Sequence, residues 1–273
     1  MLIRKVLDSN FCANPAVGKY LEASHENYVV LCEYADIEAL KSRNPVEGLA
    51  NTLSVLKNFS YQVIVLKNTR AISIQKISKS GYIKRMISDV QTRGFDDYCR
   101  NVDDAVNGNV VIKNEILRQA TNAKKDAEEA LEVAEKYVEA ARAALKDFSK
   151  SELEQINNSE VLSKDLFTKV LNQLLEMAIH SHSVMGVDIH EAEPSDIVNT
   201  VAFRTLLCNY LMIFRWVANG SPPKKGEKIR NHVYDCGFAA YATLFDGLLS
   251  NDEGAQTTYR AAKRFLKQLP QVI

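Results

Sequence analysis

Apolar and polar positions follow two rhythms along this chain, and each change of rhythm marks an element. Short, nearly continuous apolar runs occupy Leu2–Leu7, Tyr28–Cys32 and Tyr61–Leu66, and a fourth, Gly247–Ser250, comes late. Runs of this length, rich in Val, Ile and Leu and bounded by turn-forming residues, predict buried strands. Between the first three, the pattern changes. Asn14-Pro15 opens a short helix, because Asn caps and Pro suits the first helical position. A second helix is predicted over Glu33–Ser42, broken by Asn44-Pro45, and a third over Val46–Lys57. Strands alternating with helices predict an α/β fold with a parallel sheet flanked by helices.

The strongest helical pattern runs from Asn114 to Lys150. Ile116, Ala120, Ala123, Ala127, Ala130, Ala134, Tyr137, Ala141, Ala144 and Phe148 recur at alternating spacings of four and three, a heptad seam. A helix of that length would span on the order of 55 Å. The seam is mostly alanine, so any partner helix must come close. The predicted partner is Val161–His182, which carries Leu162, Leu166, Val170, Leu174 and Met177, reached through the polar turn Gln155–Ser159. The rival use of the same seam is a homodimer or the docking of a protein regulator through helix 114–150. Further helices are predicted from Glu193 through Trp216, over Asn231–Phe245, and from about Gln256 to Leu269, with Gly220–Gly226 as a loop. The expected organisation is an α/β core of residues 1–66 and 225–273, interrupted by a long helical, coiled-coil-like insertion over 67–224.

Composition narrows the function classes. The 273 residues carry 34 Lys+Arg against 34 Asp+Glu, so there is no overall basic excess of the kind nucleic-acid binders use. Basic surface must be local. It concentrates over Lys67–Arg100 and in Lys224, Lys225, Lys228 and Arg230, which are the candidate phosphate contacts. Five scattered cysteines, none at C-x-x-C spacing, argue against a zinc ribbon or disulfide framework and suit a reducing cytoplasm. The N-terminal stretch lacks a long apolar run, so no signal peptide is expected. Val201–Ala218 is interrupted by Arg204, Asn209 and Arg215 and predicts a buried helix, not a membrane span. The expectation is a cytoplasmic protein without a membrane partner.

Candidate chemistry sits at element ends. Asp8 closes the first strand, Asp252 follows the last, and Asp235 lies near the start of the helix before it. Ligands of open parallel sheets bind beyond the carboxyl ends of the strands, where acids distant in sequence can converge. Gathered carboxylates repel one another, and a divalent cation relieves that repulsion. Oxygen ligands suit Mg²⁺ or Mn²⁺, and such a site can activate water against a phosphodiester. Each acid also has a local structural reading: turn chemistry for Asp8 and Asp252, a first-turn charge for Asp235. It is the ordered set that points to chemistry. His180, His182 and His190-Glu191 do not share a helix face and argue poorly for metal. His232, three residues before Asp235, is a candidate substrate contact. Cys12 lacks a paired histidine in the pattern, which argues against a thiol nucleophile.

These motifs resemble those of the PIN-domain nuclease superfamily. The opening signature is Asp8-Ser9-Asn10 after a strand. The closing one is Asp235 in a helix, small and apolar residues, a strand, then Ser250-Asn251-Asp252. A second acid is expected in the helix after the second strand, where Glu38 matches best and Glu33 and Asp36 are alternatives. The resemblance covers roughly the first 66 and last 45 residues. It implies that Asp8, Glu38, Asp235 and Asp252 hold Mg²⁺ or Mn²⁺ and are catalytic. It also implies that Asn10 and Ser250 act as outer ligands or through water, that Asn251 positions the strand end, and that the activity is endonucleolytic, most often on RNA. A toxin or phage-defence effector is the setting this implies. A structure-specific DNA nuclease, or a non-catalytic PIN-fold protein acting through the alanine-seam helix, are the alternatives.

Overall fold

The protein's structure is a computed structural model. It describes residues 1–78, 80–218 and 226–271, and among their side chains all but those of 130, 132–135, 137, 138, 140, 141, 144 and 271. In chain order, the first part holds β1 (Ile3–Leu7), α1 (Pro15–Glu22), β2 (Asn27–Leu31), α2 (Glu33–Leu40), α3 (Pro45–Leu53) and β3 (Val63–Val65). Helices α4 (Thr69–Ser73), α5 (Tyr82–Met86), α6 (Asp89–Arg93), α7 (Phe95–Val106), α8 (Val110–Ala144), α9 (Lys150–Asn158) and α10 (Lys164–Val184) follow. The chain continues with α11 (Pro194–Ile197), α12 (Val201–Ala218), α13 (Gly226–Ala242), β4 (Gly247–Leu249) and α14 (Glu253–Lys267).

The chain divides into two compact units. The first comprises Met1–Thr69, Met86–Ala130 and Phe245–Asp252; the second comprises Arg70–Arg85, Leu131–Leu244 and Glu253–Ile273. This grouping cuts across the organisation expected from sequence. Residues 86–130, expected in the insertion, belong with the sheet, and residues 226–244 and 253–271, expected in the core, belong with the helices. The reason lies in packing. α6 packs on β3 and α7 on α3, whereas α13 and α14 pack on each other and on α12.

The first unit is built on a four-stranded, all-parallel sheet in the order β3-β2-β1-β4. Val6, Leu7, Val29 and Val30 are fully buried, as expected of strands covered on both faces. All four predicted strands are present. Because β1 lies between β2 and β4, it pairs with a strand 240 residues away, in the register Val6↔Leu248 and Leu7↔Leu249. Asn14 and Asn44 cap α1 and α3 with their side chains, and each is followed by a proline in the first turn.

The second unit is helical. Its core gathers Phe148, Leu166, Phe167, Leu174, Phe203, Tyr210 and Phe214, with the rings of Tyr210 and Phe214 edge to face at 4.5 Å. α12 is long and apolar enough to cross a membrane by length and composition, and 67% of it is buried inside the protein. Arg204 is buried within it, donating to Asn199 Oδ1 at 2.9 Å.

Three expectations about the helices need correction. The long helix begins at Val110, where Asn109 accepts from the N–H groups of Val111 and Ile112, and ends at Ala144 rather than Lys150. A 3-10 turn over Leu145–Asp147 follows it, and then Ser149 and Glu152 form a capping box that starts α9 across the region read as a turn. The helix predicted to pair with the alanine seam is α10, and it packs on α12 and α11. Of the seam itself, Ile116, Ala120, Ala123 and Ala127 are buried. The helix predicted from Glu193 to Trp216 is two helices, separated at Val198–Thr200.

Candidate active site at the carboxyl ends of β1 and β4

Parallel pairing of β1 with β4 brings two loops from opposite ends of the sequence to one edge. The Asp8 N–H donates to Leu249 O at 3.0 Å, continuing the ladder one step past the strands. Asp8 is buried there, 1% exposed. Ser250, directly after β4, donates its hydroxyl hydrogen to Asp8 Oδ2 at 2.5 Å, and accepts from the Asp252 N–H at 2.9 Å. The Asn10 N–H approaches Asp8 Oδ1 at 3.4 Å. The contact Asn10 makes with Asp8 is thus from its backbone, while its side chain is exposed.

The helix after β2 supplies the second carboxylate. Ser9 Oγ lies 3.3 Å from Asp8 Oδ1 and also hydrogen-bonds Glu38 Oε2. One hydroxyl has one hydrogen to donate, so it cannot serve two ionised carboxylates at once. Burial, and then the charge of Glu38, push Asp8 above the usual carboxylate range, against the lowering effect of the Ser250, Asn10 and Ser9 hydrogen bonds. Lys41 balances the outer side of Glu38, with Nζ 3.2 Å from Oε1. Ser9 was not among the residues singled out from sequence, although it stands inside the Asp8-Ser9-Asn10 motif.

The other two acids of α2 have separate places. Glu33 accepts from the Thr69 N–H at 2.8 Å. Asp36 faces a cavity of about 460 Å³ at the carboxyl ends of β2 and β3. Asp36 is exposed at the mouth of this cavity, and the protein packed around its carboxyl, with the charge of Glu33, pushes it up to about 6.

Asp235 belongs to α13 of the second unit, where its carboxylate lies 3.7 Å from His232 Nδ1. In the same helix Lys228 is exposed and Arg230 half-buried; Lys224 and Lys225 lie outside the described residues. Asn251 is exposed and Asp252 half-buried. Asp246 has a structural role: it accepts from the Arg4 N–H at 2.7 Å, and its own N–H donates to Arg4 O at 2.8 Å. His182 is buried against Thr200 Oγ1 at 3.3 Å. Cys12 is buried with Sγ 3.4 Å from Asp8 O, and burial beside Asp8 holds its thiol protonated, which removes it as a nucleophile.

Among the described residues, no group of three or more His, Cys, Asp and Glu side chains is gathered to hold a metal ion. The gathered donors are two carboxylates and two hydroxyls, all oxygen. Mg²⁺ is commonly held by one or two carboxylates, with water and substrate phosphate completing its shell, so this donor set fits Mg²⁺ or Mn²⁺. A bound cation would also offset the burial that raises Asp8. Family profiles, curated proteins and solved structures give no match to the chain.

Proposed function

We propose that this chain is a PIN-like, divalent-cation-dependent nuclease that cleaves RNA. One observation carries the reading: Asp8 at the end of β1 and Glu38 on α2 are joined through the Ser9 hydroxyl, while Ser250, after β4, holds the other oxygen of Asp8. Two acids and a serine from three sequence-distant motifs are thereby linked at the carboxyl edge of a parallel sheet, where ligands of such sheets bind. The preference for RNA comes from the resemblance of the motifs.

Asp8 and Glu38 would hold the cation, with Asp252, beside Ser250, as a further acid of the same unit. The cation would supply Lewis-acid activation of water and neutralise charge building on the phosphate. The chain's own residues fix the geometry. Ser250 and the Asn10 N–H orient Asp8, Ser9 sets its spacing to Glu38, and Lys41 restrains Glu38 from the other side. Burial of Asp8 keeps bulk water away, which strengthens its interaction with any cation bound there.

Purified protein incubated with single-stranded RNA, tRNA and DNA, in Mn²⁺, Mg²⁺ or EDTA, tests this directly. Asp8→Asn and Asp252→Asn serve as controls. Metal-dependent cleavage of RNA, lost in both variants, supports the reading. Cleavage of structured DNA in preference to RNA favours a DNA nuclease. Absence of metal-dependent cleavage together with absence of metal binding in calorimetry would overturn it.

A further inference from the structure

The 460 Å³ cavity at the carboxyl ends of β2 and β3 plays no part in the site just described. Its volume falls in the range of small-molecule pockets, about 300–1,000 Å³. Leu31 and Val65, the last residues of the two strands, form part of its apolar wall. Phe95 and Tyr98 of α7 add aromatic surface, their rings 6.5 Å apart and tilted by 44°. The polar groups are few and of distinct kinds: the carboxylate of Asp36, the amides of Gln91 and Gln119, and the phenol of Tyr98, which lies near Asp36. Asp36 has no hydrogen-bond or ion-pair partner among the described residues, so its two oxygens are open to accept from a ligand.

The chemistry of this lining selects a ligand class. None of the cavity's described side chains is basic, so a phosphate has no cation to meet inside. A simple ammonium would use Asp36 and leave the two amides and the Tyr98 phenol idle. Planar apolar and aromatic walls favour a flat heterocycle. Among nucleobases, guanine alone presents two adjacent donors, N1–H and N2–H₂, to a single carboxylate, together with O6 and N7 acceptors that an amide N–H₂ can meet. Adenine and cytosine offer one exocyclic amine beside a ring acceptor, which opposes the second carboxylate oxygen.

We propose that this cavity binds a guanine base, with Asp36 accepting from N1–H and N2–H₂ and an amide of Gln91 or Gln119 donating to O6 or N7. That the guanine belongs to an RNA strand rests on the nuclease reading; guanine recognition itself does not.

The test is therefore direct binding, measured apart from cleavage. Calorimetry of the Asp8→Asn protein compares guanosine, adenosine, cytidine and uridine 5′-monophosphates, then oligoadenylate with and without one internal guanosine. Guanosine monophosphate should bind about ten-fold or more tightly than the others, as expected for one well-made two-point contact. Asp36→Asn should abolish that preference and move it to xanthosine monophosphate. Xanthine keeps N1–H but carries a carbonyl at C2, which matches the acceptor and donor of asparagine. A gained preference cannot come from a misfolded variant. Tighter binding of the guanosine-containing oligomer than of the free nucleotide assigns the base to RNA, and the reverse assigns it to a free nucleotide. Equal binding of all four bases, or guanosine binding unchanged in Asp36→Asn, overturns the proposal. Either result leaves metal-dependent cleavage, and its loss in Asp8→Asn, to be judged separately.

Discussion

Ser250 donates to Asp8 Oδ2 at 2.5 Å, a bond between residues 242 positions apart that exists only because β4 lies beside β1. Ser250 is the strongest group holding the Asp8 titration down against burial. Ser250→Ala should therefore push Asp8 further up and leave a buried carboxylate oxygen without its donor, at a cost of about 1–3 kcal/mol. The rising limb of the cleavage-pH profile should move to higher pH, and metal affinity near neutrality should fall. Ser250→Thr, which retains the hydroxyl, should restore the profile. A variant that loses stability with an unmoved profile would assign Ser250 to structure alone.

Asp8→Asn separates the metal reading from folding. The wild-type carboxylate is buried and raised, so replacing it with a neutral amide of the same shape removes a charge the fold disfavours. The metal-free variant should melt at or above the wild-type temperature. Mn²⁺ at about 100 times its dissociation constant should stabilise the wild type by about 2.7 kcal/mol and leave the variant unchanged. Calorimetry in two buffers of different ionisation enthalpy should show proton release on metal binding that grows as pH falls, because burial raises Asp8. Stabilisation of both proteins by metal would place the ion elsewhere.

Acid should weaken the second unit through His182. This ring is 1% exposed, and burial lowers its pKa below the ordinary value of 6.5. The unfolded chain therefore takes up the proton first. Stability is complete above about pH 6.5 and falls as pH drops towards the folded titration, by at most about 1.4 kcal/mol per pH unit. Asp36, raised to about 6 by the protein around it and by Glu33, works in the opposite direction over the same window, and the raised Asp8 opposes the histidine in sign. His182→Leu isolates the histidine. Thr200 Oγ1 still donates to Ile197 O at 2.8 Å, so the substitution strands no hydroxyl. The variant's urea midpoint should fall less than that of wild type between pH 7 and 5. Parallel curves would remove His182 from the acid response.

The strands and the site motifs are legible in the sequence because they are local. β1, β2 and β3 announce themselves as apolar runs holding Val or Ile, and β4 as a short apolar run of Leu, while Asp8, Ser250 and Asp252 stand next to strand ends wherever the register falls. The acid of α2 is less legible. Glu33, Asp36 and Glu38 share one short helix, and only its packing sends Glu33 to the Thr69 N–H, Asp36 to the cavity and Glu38 to Ser9. The heptad count runs through Phe148 without a fault, yet Ser149 and Glu152 carry a local S-x-x-E signal that overrides it. The grouping of α13 and α14 with the helical core depends on contacts among segments distant in sequence, which no local pattern encodes.

Gly48 tests how α2 is set in place. A Cβ built on it would lie 2.5 Å from Ala39 O and 2.5 Å from Ser42 Oγ, distances that real side chains do not tolerate. The serine hydroxyl can turn away; the carbonyl belongs to the last turn of α2 and cannot move without the helix. Gly48 therefore permits α3 to lie against α2, and α2 carries Glu38. Gly48→Ala should cost about 1–3 kcal/mol, since forced overpacking outweighs alanine's better helix propensity. It should also displace Glu38 from Ser9. Cleavage should then fall more steeply than the loss of folded protein explains, with metal affinity reduced in parallel. Gly18→Ala is the control. Its Cβ meets only side-chain carbons at 3.6 Å, an ordinary contact, and α1 carries none of the acids. That variant should match or exceed wild-type stability and keep full activity. Equal behaviour of the two variants would show that the α2–α3 approach does not set the position of Glu38.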